Sequence, residues 1–395
     1  MNVTTRTFWA LTFLFTNAIV GFSQVATLSS PTRSGDQIQF NLEGDPYRRY
    51  VIQGSSNLVD WDLLMISVSS GAIHPLSFAA SNEFRFFRST LYSRQNSLSK
   101  AIQLTSSMDL RGYNFSVDSF DSRDPVFSTL GQYDPAKRTD HAELSLDEGL
   151  VDSLGVGRAL VFGSVVIGPE TSLIIGSNGS VGSLAWHNAA SKGVQPGKLS
   201  TDLNPYFPEV KDPFPAGGYS TPGPREPVTN IVITISPEGI PTTNIFVETY
   251  DFVFENGNYR VTNLFGEILV NGNARVHVTD KLLVSGGLDI ITIATNASLE
   301  LYVSAPSAVI GGINNRDRIS TNFIYYGMPG NKNISLSVNG LFSGIVYAPQ
   351  AQVYVGGGGN DTYDFIGAIV ADSLLLNGHW NFHYDKALRD IPFPQ

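Results

Sequence analysis

Residues 336–388 decide how the rest of the chain is organised, and they read LSVNGLFSGIVYAPQAQVYVGGGGNDTYDFIGAIVADSLLLNGHWNFHYDKAL. Two five-residue units in this stretch match each other, GIVYA at 344–348 and GAIVA at 367–371. They are offset by 23 residues, and both are rich in β-branched residues that favour strands. A fixed period of roughly this length, built of short β-prone runs, is typical of stacked β-coils.

The offset extends beyond the two units, because it also aligns Val353 with Leu376. A step of Val or Leu, then Asn or Ser, then Gly recurs at 270–272, 284–286, 338–340 and 376–378. Gly is typical of tight turns, because it takes a positive φ more readily than other residues. The pattern predicts an all-β chain whose main domain, residues 106–390, is a β-solenoid of parallel coils.

The composition agrees with an all-β protein and restricts its partners. The 395 residues include 38 Gly, and charged residues make up 15% of the chain. An average soluble protein has about 25% charged residues. The chain is acidic, with 25 Lys and Arg against 35 Asp and Glu. We therefore expect no nucleic-acid partner, because neutralising phosphates requires a basic patch.

The N-terminus has the pattern of a secretory signal peptide. Arg6 precedes an apolar run at 8–22, and small residues follow. We expect residues 1–23 to be removed, which leaves no transmembrane span and an exported protein in the periplasm, at the cell surface or outside the cell. An uncleaved membrane anchor is the alternative. The sequence contains no Cys, which excludes disulfides, thiolate catalysis and Cys-ligated metals.

Residues 33–90 have the alternation of a small β-domain, and the polar residues 91–105 follow as a linker. The motif residues of this segment are Tyr50, Ile52, Ser55, Asn57, Leu58 and Trp61, then Arg85, Phe86, Phe87 and Arg88. With them the segment resembles a small β-domain that is repeated in secreted proteins of the Verrucomicrobia–Planctomycetes group of bacteria. The resemblance implies a β-sandwich-like extracellular accessory module without catalysis. Trp61 is expected to anchor its core.

Residues 188–230 are predicted to form a Pro-rich insertion in the main domain. Proline has no N–H to donate to a β-ladder, so this segment does not fit a central sheet. Two alternatives remain open, a segment that lies over the flank of the solenoid and a partly disordered one. Tyr206, Phe207 and Phe214 favour some packing.

Asp118, Asp121 and Asp124 lie three residues apart in a predicted loop. Calcium takes several carboxylate and carbonyl oxygens, and this loop offers some of them. Asx-turns and Asp-Pro turns explain the same residues, and the spacing and Gly of an EF-hand are missing. Structural turns are the favoured interpretation, and calcium binding stays open.

A series of ordered motifs extends across the main domain. They lie at 120–125, 131–137, 179–183, 186–187, 346–349, 367–370 and 382–388. With its YAP-x-A, GAIV and FHYD-x-AL segments, the series resembles a bacterial β-solenoid domain of unknown function that occurs in exported surface proteins and alongside pilus-assembly proteins. The resemblance implies a right-handed parallel β-helix, a surface location and no established reaction. No prepilin-type N-terminus is evident, which puts a role inside a pilus in doubt.

The sequence contains no G-x-S-x-G, P-loop or HExxH motif. His379 and His383 are close in sequence, but on an extended strand they lie about 13 Å apart, too far for one metal ion. The aromatic stretch 380–388 is expected to cover the last coil. We therefore expect no catalytic residue, no metal and no cofactor.

These observations favour an exported, non-enzymatic β-solenoid of the cell surface or envelope with a structural or adhesive role. Its expected partners are a cell-surface or extracellular polysaccharide, or further copies of itself. The expected ligand face consists of Tyr354, Trp380, His383 and Tyr384. Other tyrosines on predicted strands are further candidates for a sugar-binding face: Tyr302, Tyr325 and Tyr326.

The alternative function is a polysaccharide-active lyase or hydrolase on the same scaffold. Exported β-helices that cleave polysaccharides place acidic groups and Arg along one face, which is an analogy at the level of the fold. The residues that would serve here are Asp317, Asp361 and Asp364 with Arg316 and Arg318. This alternative requires that the three carboxylates converge on one groove.

Overall fold

The computed structural model describes residues 27–34, 37–43, 49–58, 62–68, 73–79, 86–92, 98–110, 115–146, 154–156, 159–168, 173–175, 178–201, 207–222, 227–235, 241–286, 289–337, 340–357 and 361–391. Strands dominate these residues, and helix is limited to one short α-helix and three short 3₁₀ helices. The prediction of a nearly all-β protein is confirmed. The chain divides into two compact units, Met1–Arg94 and Gln95–Gln395. The predicted leader at 1–23 and Trp61 lie outside the described residues.

The first unit contains two antiparallel sheets of three strands each. Its strands are β1 (Thr27–Ser34), β2 (Gln37–Glu43), β3 (Arg49–Ser55), β4 (Asp62–Val68), β5 (Ile73–Ala79) and β6 (Phe86–Tyr92). The strand orders are β1-β2-β5 and β4-β3-β6. Leu42 and Leu76 of one sheet pack with Tyr50 and Ile52 of the other in one buried core. Tyr50 and Ile52 reach the same core because residues two apart on a strand share a face.

The described residues of the second unit form 25 strands, one α-helix and the three 3₁₀ helices. Its first strands are β7 (Ile102–Leu104), β8 (Met108–Leu110), β9 (Phe115–Phe120), β10 (Ala142–Leu146), β11 (Leu154–Val156), β12 (Leu160–Ile167), β13 (Leu173–Ile175), β14 (Ser180–Gly182), β15 (Gly193–Val194) and β16 (Leu199–Ser200). The helix α1 is Leu184–Asn188, and the 3₁₀ helices are Pro135–Lys137, Ser320–Asn322 and Lys386–Asp390.

The later strands of this unit include its longest. They are β17 (Pro227–Ile235), β18 (Pro241–Thr249), β19 (Phe252–Phe254), β20 (Gly257–Phe265), β21 (Ile268–Val270), β22 (Asn273–Val284), β23 (Ile291–Ile293), β24 (Ser298–Val303), β25 (Ser307–Ile310), β26 (Ile313–Asn315), β27 (Phe323–Gly327), β28 (Asn333–Leu336), β29 (Phe342–Val355), β30 (Thr362–Leu376) and β31 (His379–Asp385). Strands β17 and β18 form an antiparallel pair, and β19, β21, β23 and β26 form a separate parallel sheet.

Six strands of the second unit close a ring. Going around it, β7 pairs with β10, β10 with β12, β12 with β9, β9 with β31, β31 with β30, and β30 with β7. Every one of these pairings is parallel. A parallel ladder extends from the ring through β29, β27, β24 and β22 to β20. The structure is thus a closed six-stranded parallel β-barrel with additional strands.

The expected right-handed parallel β-helix is therefore wrong. Coils that stack in chain order place the first and the last coil at opposite ends of the stack. Here Ile102 of β7 lies opposite Ile369 of β30, so an early strand of the unit pairs directly with a late one. This closure is a long-range contact that a local repeat does not encode. The chain also contains mixed and antiparallel sheets outside the barrel.

The expected role of residues 380–388 as a cover of the last coil is also wrong. Strand β31 has partners on both sides, since Phe382 lies opposite Phe365 of β30 and opposite Val117 of β9. Trp380, Phe382 and Tyr384 are buried in the core of the unit. The aromatic side chains fill the interior instead of covering an edge.

A stack of phenylalanines connects the ladder to the ring. The ring centroids of Phe342 and Phe365 are 4.4 Å apart, and those of Phe365 and Phe382 are 4.5 Å apart. Phe115 of β9 continues the stack at 5.6 Å from Phe382. Each such pair contributes about 0.5–1.5 kcal/mol beyond the burial of its area. The stack therefore stabilises the contact between early and late strands.

The register between β29 and β30 explains part of the sequence repeat. Gly344 lies opposite Gly367 and Ala348 opposite Ala371, which are the pairs that the offset of 23 residues aligns. An irregularity between Ala348 and Gln352 then shifts the register by two residues. Val353 consequently lies opposite Leu374, and its expected alignment with Leu376 is wrong.

The paired glycines leave no room for a side chain at Gly367. A Cβ there would lie 1.8 Å from the carbonyl oxygen of Gly344, and the φ of Gly367 is +143°. We expect Gly367→Ala to destabilise the second unit by more than the ~1–3 kcal/mol of backbone strain alone, because that oxygen belongs to the neighbouring strand. Urea denaturation measures the loss in free energy of unfolding.

Gly340→Ala is the matched control for this substitution. Gly340 has the same φ of +143°, but a Cβ there would have no atom within 4 Å. It should therefore cost only the backbone strain. Equal losses for the two variants would contradict the close approach of β29 and β30.

Candidate functional site

The expected ligand face is mostly inside the molecule. Trp380, His383 and Tyr384 are exposed to 1%, 4% and 0%. The hydroxyl of Tyr384 donates a hydrogen bond of 2.6 Å to the carbonyl oxygen of Leu98. Tyr354 is partly exposed, and its hydroxyl accepts a hydrogen bond of 3.2 Å from the side chain of Asn377. Three of the four residues are therefore not accessible on the surface of the molecule.

The structure joins three residues that the sequence singled out separately. His383 of β31 lies opposite Asp118 of β9, and its Nδ1 is 2.7 Å from Asp118 Oδ1. Its Nε2 is 3.3 Å from Oδ1 of Asp364 on β30. Asp118 is buried like His383, whereas the Asp364 side chain is 46% exposed. We call Asp118, His383 and Asp364 the histidine cluster.

Two further side chains hold the histidine cluster in place. Tyr133 donates a hydrogen bond of 2.7 Å to Asp118 Oδ2, and its ring stacks on the imidazole of His383 at 3.6 Å. Asn381 donates a hydrogen bond of 3.1 Å to Asp364 Oδ1. Burial, together with the charge of Asp118, raises the pKa of the Tyr133 hydroxyl, so Tyr133 stays a neutral donor.

The histidine cluster places a buried imidazole between two carboxylates. Burial lowers the pKa of His383, but the hydrogen bonds and charges of Asp118 and Asp364 outweigh it, and the net pKa is raised. The hydrogen bond from His383 lowers the pKa of Asp364. Both ring nitrogens face a carboxylate, and the Tyr133 ring stacks on one face of the imidazole. The cluster connects the neighbouring strands β9, β31 and β30.

Asp121 and Asp124, the other carboxylates of the loop at 118–124, accept hydrogen bonds from residues close to them in sequence. Asp121 accepts hydrogen bonds from the guanidinium of Arg123, and Asp124 accepts one of 2.8 Å from the backbone N–H of Val126. In the part of the chain that the structure describes, no group of three or more His, Cys, Asp or Glu is arranged to hold a metal ion. Asp118 is the member of this loop that joins a larger cluster.

The three carboxylates named for an enzyme also have different surroundings. Asp317 Oδ2 accepts a hydrogen bond of 2.7 Å from the backbone N–H of Asn296 and lies 3.4 Å from the side-chain nitrogen of Asn322. Asp361 is exposed, and Asp364 belongs to the histidine cluster. A shared groove for Asp317, Asp361 and Asp364 is not among the cavities described below.

The second candidate region is a column of three tyrosines along the ladder. Tyr302 of β24 lies opposite Tyr326 of β27, and Tyr326 lies opposite Tyr347 of β29. The rings of Tyr302 and Tyr326 stack with their centroids 4.6 Å apart. Parallel strands in register bring identical side chains on top of each other at the strand spacing of about 4.8 Å. We call these three residues the tyrosine column.

A segment from the Pro-rich insertion lies over the tyrosine column. This segment, residues 207–214 with the sequence FPEVKDPF, belongs to no strand or helix, and we call it the strap. Tyr347 donates a hydrogen bond of 2.6 Å to the carbonyl oxygen of Pro208. Arg260 of β20 binds both carboxylate oxygens of Asp212 at 2.9 and 3.0 Å. Val210 and Phe214 are buried.

A cavity of about 200 Å³ lies between the strap and the tyrosine column. Its walls include all three tyrosines, Arg275 of β22, and strap residues 208–213. Arg275 Nε is 3.0 Å from Glu300 Oε2, and its Nη2 donates a bond of 3.2 Å to the Tyr302 hydroxyl. Burial raises the pKa of Tyr302 to about 12, so this hydroxyl stays protonated. The cavity thus combines aromatic rings with fixed polar groups.

A larger and more open groove lies at another place in the second unit. Its volume is about 590 Å³, and Glu267, Asp289, Asn314 and Arg318 are among its lining residues. It is lined by several glycines and contains no aromatic ring. The cavity under the strap offers the more specific set of contacts, because a site for an organic ligand normally combines apolar walls with a few placed polar groups.

Part of the cavity could be anticipated from the sequence. Tyr302 and Tyr326 were candidates for a sugar-binding face, and the alternation at 274–278 places Arg275 on the same side of its strand as His277. Nothing in the sequence connects Arg275 with the strap, which precedes it by about 60 residues. Arg275 and Lys211 were therefore missed.

Comparison with known proteins gives one match. A domain of unknown function, DUF7305, matches residues 217–391, which is less than half of the chain. The matched region contains Arg275, the tyrosine column and two members of the histidine cluster, whereas Asp118 and the strap precede it. No curated protein and no solved structure matches the chain. In the described part of the chain, no helix has the length and apolar character needed to cross a membrane.

The histidine cluster predicts how stability depends on pH. The pKa of His383 is raised in the folded state above its unfolded value of about 6.5. The stabilisation by the protonated imidazole is thus fully present below about pH 6.5 and is lost as the pH rises through the folded-state pKa. Urea denaturation at pH values from 6 to 9 should show this loss.

His383→Gln should remove this component of the pH dependence. At pH 6 it should also cost about 3–5 kcal/mol, because Asp118 is left buried without its charged partner. His141→Gln is the control, since His141 is exposed. The plot of unfolding free energy against pH should therefore differ in shape between His383→Gln and the unchanged protein. Parallel plots from pH 6 to 9 would show that the cluster is not ionised as described.

Proposed function

We propose that this chain is an exported, non-enzymatic protein of the cell surface or envelope with a structural or adhesive role, and that it binds carbohydrate in the cavity under the strap. The observation that carries the proposal is the cavity itself. Three tyrosines, Arg275 and the polar backbone of the strap converge there. The N-terminal leader pattern supports an exported protein.

The chemistry of the cavity suits a sugar. A saccharide has apolar C–H faces that pack on aromatic rings, and its hydroxyls donate and accept hydrogen bonds. The tyrosine column lines the cavity beneath the strap, where Tyr302, Tyr326 and Tyr347 are exposed to 3%, 3% and 1%. Arg275 and the Tyr302 hydroxyl supply fixed polar partners. The volume of about 200 Å³ is below the range of roughly 300–1,000 Å³ for sites of drug-sized ligands. The cavity therefore fits one sugar residue of a longer chain.

In this proposal the histidine cluster has a structural role. Its imidazole is buried, and Asp118, Asp364 and Tyr133 surround it. General acid–base catalysis needs a titratable group within hydrogen-bond reach of the reacting proton. A polysaccharide-active enzyme is the competing function, and product release decides between the two.

The test is a glycan array with the purified full chain, followed by calorimetric titration of any oligosaccharide that binds. Tyr326→Leu should weaken binding at least tenfold, about 1.4 kcal/mol, because it removes one ring of the tyrosine column. Tyr354→Leu should leave the affinity unchanged, because Tyr354 does not line the cavity.

Three results would count against the proposal. Binding that Tyr354→Leu weakens and Tyr326→Leu does not would place the site elsewhere. Release of reducing sugar from a bound oligosaccharide would favour the enzyme. No binding across the array would remove carbohydrate as the ligand. Circular dichroism of both variants separates a lost contact from a lost fold.

A further inference from the structure

Three acceptor groups that line the cavity already receive hydrogen bonds. Both oxygens of Asp212 face Arg260, and its Oδ1 also accepts the backbone N–H of Phe214 at 2.8 Å. Glu209 Oε1 accepts a hydrogen bond from the side chain of Gln350. The carbonyl oxygen of Pro208 accepts the Tyr347 hydroxyl. A ligand that brings mainly donors would have to compete with these contacts.

Donors, in contrast, remain available on both walls. Lys211 lies in the middle of the strap, is exposed and has no acceptor among the described residues. Arg275 uses Nε and Nη2 for Glu300 and Tyr302, and its Nη1 makes no hydrogen bond within the described part of the chain. Lys211 and Arg275 thus both line one small cavity, and each has N–H groups without an acceptor among the described residues.

We infer that the saccharide bound in this cavity is anionic and that its acidic group binds between Lys211 and Arg275. This inference rests on the proposed function and names the class of its ligand. A charged acceptor makes stronger hydrogen bonds to cationic donors than a neutral hydroxyl does. The shared chemistry is a carboxylate or sulfate group on a sugar ring, as in a uronic acid or a sulfate ester.

The carboxylate of Glu209 is expected to weaken the binding of an anion in the cavity. It lies two residues before Lys211 and also lines the cavity, and its charge is met by the neutral amide of Gln350. Glu209 therefore opposes an anion in the same space that Lys211 favours. Removing this carboxylate should strengthen the binding of an acidic sugar and leave the binding of a neutral one almost unchanged.

The test compares three trisaccharides by calorimetric titration of the full chain: trigalacturonic acid, its carboxyl-reduced neutral counterpart, and a sulfated form of that counterpart. At low salt, trigalacturonic acid or the sulfated form should bind at least tenfold more tightly than the neutral trisaccharide. The preference should shrink at high salt because the charges are partly exposed. Whichever acidic probe binds more tightly identifies the source of the anion.

Matched variants show which residues cause the preference for acidic over neutral trisaccharides. Lys211→Gln should abolish most of this difference in affinity, and Glu209→Gln should increase the difference severalfold. Lys192→Gln removes an exposed Lys outside the cavity and should change nothing. A preference that Lys192→Gln reduces as much as Lys211→Gln would overturn the inference, because it would reflect the net charge of the protein.

Failure of the inference and failure of the proposed function have different signatures. Equal affinity for the neutral and the acidic probes would overturn the inference and leave carbohydrate binding in place. A neutral glycan that binds on the array more tightly than all of its acidic counterparts, or equally tightly, would have the same consequence. Absence of binding to all three probes and to the whole array overturns both.

Discussion

The pairing of β9 with β31 is the constraint on which the rest of the second unit depends. It joins residues near 118 to residues near 383, so a chain of about 265 residues must close before the pairing forms. The stack of Phe342, Phe365, Phe382 and Phe115 stabilises this contact from the apolar side. Without it, β9 and β31 would each have an open edge, and the six-stranded ring would not close.

The histidine cluster and the apolar stack favour the same register for this pairing. Successive side chains of a strand point to opposite faces, so a slip of one residue would turn His383 away from Asp118 and leave Asp118 buried without this partner. The same slip would turn Phe382 away from the stack. The wrong register therefore loses apolar burial and also isolates a buried charge, which costs several kcal/mol.

Sequence reasoning succeeded where the determining contacts are local or periodic. Alternation and turn residues identified the strands, and the offset of 23 residues aligned Gly344 with Gly367, which lie opposite each other. The closure of the barrel could not be predicted in this way, because Ile102 and Ile369 look like many other apolar strand residues. His383, Asp118 and Asp364 were each noticed, but nothing local indicated that one cluster contains all three. The position of the strap over the tyrosine column also depends on contacts with residues that are distant in the sequence.

The prolines of the strap explain why a cavity exists beneath it. Pro208 and Pro213 have no N–H, so the strap cannot join the ladder by continuous backbone pairing. It is held through separate contacts instead, the Tyr347 hydroxyl at one end and the Arg260–Asp212 ion pair at the other. Between these two attachments, Arg275 and the stacked rings of Tyr302 and Tyr326 face the strap across open space. A segment that paired as a strand would have closed that space, so the prolines that exclude the strap from the sheet also leave the cavity open.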